Sequence, residues 1–222
     1  MELAVLLMAA VGVVAVASWY WSEAARIRRA LRRARRVSIA DAREGSVVRL
    51  QGRVAAGATL VSPLSSRRCV YYLVIVEERV STGRSNAWHV RIRESRGVPF
   101  VIDDGTGRAL VDPTNAHVDV DLDITQRSGT FDDPTPAKLE FLAHHGVQGT
   151  GWLLNKPLRY REGVFEIGEA VAVLCQPVRE PDPDAISATP GYRDGPPTRL
   201  RVSGSPDMRI LLSDAVEITQ LP

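Results

Sequence analysis

The sequence predicts a mainly β protein, with an N-terminal transmembrane helix followed by an OB-like, partly open antiparallel β-barrel that carries one short helix. Three observations predict it. Many short segments alternate apolar and polar residues with period two, a single helix-patterned stretch interrupts them, and one long apolar run stands at the N-terminus. The chain has 222 residues, 45% hydrophobic and 24% charged, which suffices for one well-buried domain with an appendage. Its two cysteines, Cys69 and Cys175, cannot close a four-ligand thiolate zinc site. Zinc fingers, RING domains and disulfide scaffolds are therefore excluded unless ligands come from elsewhere.

The first element is the apolar run over residues 3–22, which opens at Leu3, contains no charged residue and ends in Trp19, Tyr20 and Trp21. At ~1.5 Å per residue it can cross the ~30 Å of a bilayer core once, with its terminal rings at headgroup level. Ala15-Val16-Ala17 has the form of a signal-peptide cleavage site, but the basic n-region such a signal needs is missing. Residues 23–37 read as a basic helix leaving the membrane. Arg26, Arg28, Arg29, Arg32, Arg33, Arg35 and Arg36 would contact anionic lipid headgroups of the inner leaflet, and their excess predicts a single-pass cell-membrane protein with its N-terminus outside and its body in the cytoplasm.

The body, residues 38–222, reads as β structure. Val48, Leu50, Gly52 and Val54 alternate with Arg49, Gln51 and Arg53 in a half-buried strand, whereas 69–76 is apolar on both sides and predicts a central strand. Trp88, Val90 and Ile92 alternate with His89, Arg91 and Arg93. Phe100-Val101-Ile102 then runs into Asp103-Asp104-Gly105-Thr106-Gly107, a tight hairpin turn, and 109–111 pairs back. In 118–124 the valines, leucine and isoleucine face one way while Asp119, Asp121 and Asp123 face water.

A helix follows over 135–146, with Thr135 at its cap, Pro136 in its first turn and Gly146 at its end. Strands are predicted at 163–167, 170–175, 208–212 and 216–218. Between Pro177 and Pro206 prolines and glycines crowd the chain and predict a mobile excursion without regular structure.

No motif carries recognisable chemistry. The aspartate run lacks the glycine and glutamate of an EF-hand loop, and Asp104-Gly105-Thr106-Gly107 has no second copy to form an aspartic-protease dyad. His144 and His145 are adjacent and diverge on a helix, and the glycines at 146, 149 and 151 form no phosphate loop. No cofactor and no metal are expected. Arg49 and Arg53 beside Arg91 and Arg93 would form one basic sheet face, a possible partner surface. Nucleic acid is an unlikely occupant, because Trp88 points to the other side and leaves that face without aromatics on which bases could stack.

Pro63-Leu64-Ser65, Cys69-Val70-Tyr71-Tyr72, Glu77, Trp88, the run from Phe100 through Asp104-Gly105-Thr106-Gly107 to Pro113, Tyr160-Arg161-Glu162, Gly168 and Ile210-Leu211-Leu212-Ser213 stand in one order. In that order they resemble the GIDE, or beside-a-membrane, domain found in the mitochondrial membrane E3 ubiquitin ligase and in shorter bacterial relatives. The resemblance covers roughly 38–220. It implies a β-rich domain on a membrane surface that engages protein partners, with Cys69, Tyr72, Glu77, Trp88, Asp104 to Gly107, Pro113 and Gly168 as structural motif positions. Ligase activity resides in the RING of those ligases, which this sequence lacks. The expectation is thus a membrane-anchored, non-enzymatic protein-interaction module with an unknown protein partner. The alternatives are a ligase-related protein, an enzyme whose catalytic groups (Asp103, Asp104, His117 and a serine) gather only in space, and a membrane-tethered nucleic-acid binder.

Overall fold

In the computed structural model, which describes residues 23–81, 83, 86–128, 135–146, 157–183, 198–205 and 208–220, the alternating segments form strands wherever an apolar stripe finds a second layer to cover it. The helix α1 occupies residues 23–33. There follow β1 (Val48–Gly57), β2 (Leu60–Val61), β3 (Arg68–Cys69), β4 (Tyr71–Ser81), β5 (Asn86–Gly97), β6 (Phe100–Asp103), β7 (Arg108–Asp112), β8 (His117–Asp119) and β9 (Ile124–Ser128). After α2 (Pro136–His144) come β10 (Leu158–Phe165), β11 (Ala170–Cys175), β12 (Val178–Pro181), β13 (Thr198–Ser203), β14 (Leu211–Ser213) and α3 (Val216–Thr219).

Two main sheets result. One has eight strands in the order β12-β13-β7-β6-β1-β11-β14-β8, the other four in the order β5-β4-β10-β9, and β2 pairs with β3. This corrects the expected antiparallel barrel: no sheet closes on itself, and β13–β7 and β14–β8 pair in parallel. Parallel neighbours need long crossovers, which local alternation cannot reveal.

Three apolar clusters define four layers. Leu50, Val54, Ile102, Val111, Val173 and Leu212 of the large sheet meet Tyr71, Leu73, Ile75 and Phe165 of the small one. On the far side of the small sheet, Tyr72, Val74, Val76, Ile92 and Tyr160 are covered by Phe141 and Leu142 of α2. β4 is consequently buried on both faces over Tyr71–Glu78, in keeping with the apolar run that reaches Val76. On the far side of the large sheet, Ile27 and Leu31 of α1 pack with Ala172, Ala215 and Ile218.

That last contact alters the reading of the basic helix. Arg28 turns inward to Asp119, with Nε 2.6 Å from Oδ2, and reaches Glu217 at 2.9 Å, while Arg32 approaches Glu217 at 3.5 Å. Glu23 meets His117 at 2.7 Å. Arg26, Arg29, Arg33, Arg35 and Arg36 remain exposed. No helix among the described residues is long and apolar enough to cross a membrane. The transmembrane helix and the single-pass, N-terminus-out placement are corrected accordingly; the apolar run with Leu3, Trp19, Tyr20 and Trp21 lies outside the described residues.

Three further expectations change. The excursion after Pro177 contains β12 and β13, which pair with each other and bury Leu200 and Val202 in the main core, while 184–197 and Pro206 lie outside the described residues. Asp119 is buried rather than water-facing, because Arg28 and the Ser213 hydroxyl, 3.0 Å away, satisfy it. Residues 216–219 form a helix instead of a strand, since Ile218 is sealed beneath α1.

Candidate functional site

The β4–β5 hairpin outgrows its sheet: β10 accompanies β4 only as far as Glu78, and the ribbon continues beyond. Within it the register slips between Val76 and Glu77, where Val76 faces Ile92 but Glu77 faces Val90, so that Arg91 is the extra residue of a β-bulge. Because a one-residue slip exchanges the two faces of a strand, Ile92 joins the cluster under α2 while Val90 and Trp88 turn to the opposite side. Directly paired residues share a face, which puts Arg79, Glu77, Arg159 and Arg161 beside Val90 and Trp88.

Ionic contacts hold this face in shape. Glu77 is buried between Arg159 at 2.7 Å and Arg161 at 3.1 Å, and the Arg159 guanidinium stands 4.5 Å from the centre of the Trp88 ring. On the reverse side Arg91 pairs with the buried Glu78 at 2.6 Å. Trp88 is half-buried and Val90 is 46% exposed. β5 is the edge of its sheet, and its outward backbone groups have no strand beside them among the described residues.

Nearer the sheet's middle, the Tyr72 hydroxyl donates to Glu94 Oε1 at 2.5 Å, and His145 Nε2 lies 2.7 Å from Glu94 Oε2. Burial, reinforced by the adjacent carboxylate, pushes the Tyr72 phenol up to about 12. Burial also acts to raise Glu94, but the hydrogen bonds from Tyr72 and His145 outweigh it and hold that carboxyl below its ordinary range. This trio ties the end of α2 to the sheet. Its phenol holds its proton well above neutrality.

The other sequence-predicted residues serve the scaffold. The Asp104 carboxylate accepts hydrogen bonds from the backbone of Ile39 at 2.8 Å, Thr106 at 2.9 Å and Gly107 at 3.1 Å, and from the Thr106 hydroxyl. These bonds outweigh its burial and keep it below the usual carboxylate range. Gly105, at φ +82°, supplies the turn that only glycine adopts without strain, and the Asp-Gly-Thr-Gly segment is a clamp on residues 39–40. Pro113 packs where a Cβ on Gly97 would fall, and Gly168, at φ +90°, turns the chain between β10 and β11. Cys69 and Cys175 are buried thiols, pushed up to about 11 and about 12 by desolvation.

The single basic face expected from Arg49, Arg53, Arg91 and Arg93 is not assembled, because β1 and β5 belong to different sheets. Arg49 is only 3% exposed and donates to the Leu31 carbonyl near the end of α1, while Gln51 donates to the Thr219 carbonyl at the end of α3. Both side chains satisfy helix C-terminal carbonyls. Arg53 is exposed and donates to the Gly168 carbonyl at 2.8 Å. The residues named for a spatially assembled active site are likewise apart. His117 lies on β8 and Asp103 on β6, four interstrand spacings away, roughly 19 Å.

Glu162 is a residue that no motif for chemistry singles out. Fully buried, it accepts hydrogen bonds from the Leu64 backbone at 3.0 Å, the Ser65 backbone at 3.2 Å and the hydroxyls of Ser62 and Ser65, fixing the Pro63-Leu64-Ser65 turn against β10. Ser62 and Ser65, three positions apart around a proline, were the available signal. Among the described residues no group of acids, histidines and cysteines could hold a metal ion.

Comparison with known proteins finds no family model that matches the chain, and no match among curated proteins or solved structures. The resemblance to the GIDE domain accordingly rests on the residues quoted for it.

Proposed function

We propose that the protein is a non-enzymatic interaction module that binds a protein partner through the Trp88 face of the β4–β5 hairpin. One observation carries the reading: Trp88 and Val90 are turned out of the core by the Arg91 bulge and bordered by Arg79, Arg159 and Arg161. A tryptophan stacked by arginine, with a solvent-facing aliphatic neighbour, is the composition of an interface hot spot. A complementary partner offers an apolar side chain to Trp88 and carboxylates to the surrounding guanidinium groups. The GIDE resemblance supports the reading, since partner engagement is what it implies for such a domain.

The test is site-specific photocrosslinking in cells, with the probe at position 90 and, as a control, at the exposed Ser95 beyond the bulge. A discrete adduct formed from position 90 alone, abolished by Trp88→Ala but not by Arg53→Ala, is the expected result. Equal adducts from both positions, or an adduct indifferent to Trp88→Ala, would overturn it.

A further inference from the structure

We propose that the cavity where α1 ends binds a small anion bearing a phosphate or pyrophosphate group. The cavity, of about 780 Å³, lies between the end of α1 and the start of β1, and its charged lining is Arg35, Arg36, Arg43 and Asp41. That volume suits a small organic ligand. Asp41, the one carboxylate in the lining, accepts the Ser38 hydroxyl at 2.6 Å and leaves a surplus of positive charge.

Two arginines of this lining contrast with several others in the protein. Arg28, Arg67, Arg91, Arg108, Arg159 and Arg199 each pair with a carboxylate. Arg35 and Arg43, among the described residues, make no ion pair and no side-chain hydrogen bond, though both are exposed on one cavity. The carbonyl pole of α1 would ordinarily repel an anion, but the Leu31 carbonyl is engaged by Arg49. Arg49 is itself buried, and desolvation, with the Arg36 charge as the smaller cause, lowers it from its ordinary value.

The ligand class follows from the donors. Guanidinium forks match the paired oxygens of phosphate, and several such forks around one cavity favour an anion with more than one charge. Val37 and Val47 add an apolar wall, with Val47 60% exposed, against which an organic body attached to the phosphate can rest. A soluble phosphorylated molecule and a phospholipid headgroup share this chemistry. The site uses none of the residues of the Trp88 face, so the two proposals stand or fall separately.

The experiment is isothermal titration of the full chain with inorganic pyrophosphate, beside sedimentation with phosphatidylcholine vesicles that contain or lack phosphatidic acid. Arg35→Ala/Arg43→Ala is compared with Arg29→Ala/Arg33→Ala, which removes the same charge from exposed positions outside the cavity. The cavity pair is expected to weaken pyrophosphate binding at least about tenfold and the control pair far less, with unchanged melting temperatures. Binding confined to phosphatidic acid vesicles, and lost in the cavity pair alone, would support the site and assign it to a lipid phosphate. Equal losses in both pairs, or no binding to either probe, would overturn the proposal.

Discussion

The outer face of the large sheet and the outgrown end of the small one carry similar side chains and meet opposite fates. On β1, Arg49 and Gln51 are roofed by α1 and α3 and spend their donors on helix carbonyls. Beyond the Arg91 bulge, Trp88, Val90 and Arg159 have no layer above them among the described residues, and Arg159 pairs with Glu77 and stacks on Trp88 instead. The difference teaches that polarity on a strand marks neither an interface nor solvent. What decides is whether another element arrives to use it.

Four measurements can break or sharpen that contrast. The largest effect is expected from Leu31→Ala, which empties a fully buried site beneath α1 and should cost about 2–5 kcal/mol in urea unfolding. A loss below about 1 kcal/mol would mean that α1 is not part of the folded unit. Glu162→Ala strands several donors of a buried turn and should cost about 2–3 kcal/mol, with Glu162→Gln recovering part of it; equal losses would show that the carboxylate's charge matters more than its shape.

The third concerns pH. Asp214 accepts a bifurcated hydrogen bond from the Asp121 amide, yet burial, together with the nearby Glu169 and Asp121 charges, raises it to about 8. The folded protein binds a proton there that the unfolded chain releases near pH ~4. Stability contributed by this acid is therefore fullest below that pH and declines as pH climbs toward about 8. Asp214→Asn keeps an acceptor for the amide, should flatten that decline, and should be the more stable protein at pH 9 by thermal denaturation. A wild-type protein whose stability holds level from pH 5 to 9 would contradict it. The smallest effect belongs to Trp88→Ala, about 1 kcal/mol or less, because the ring covers no core. A loss as large as that of Leu31→Ala would erase the distinction between the two regions.

Much of the β structure could be read from residues alone. The alternation of 48–54, the Asp-Gly-Thr-Gly hairpin and the helix after Thr135 appear as strand, turn and helix, and the apolar run 69–76 as a buried strand from Tyr71 on, with Cys69 split off into β3, because each is decided largely by neighbours in sequence. The candidate site was half legible. Trp88 stands out, but it pairs with Arg159 only after a β-bulge reverses the faces, and a bulge leaves no mark in residue types like Val90-Arg91-Ile92. The docking of α1 was hidden for a related reason. Ile27 and Leu31 are a faint stripe among arginines, and their partners Ala215 and Ile218 lie near the other end of the chain.

That last pairing bears on how the protein is made. Arg28 and its partner Glu217 are 189 residues apart, β14 lies parallel to β8 with Leu212 opposite Val118, and β13 lies parallel to β7 with Leu200 opposite Ala109. A ribosome delivers α1 before every strand described above and must then emit all of them before its seat exists. Until then Ile27 and Leu31 travel uncovered and the sheet has two unfinished margins, an interval in which a chaperone can hold the helix or a neighbouring nascent chain can capture it.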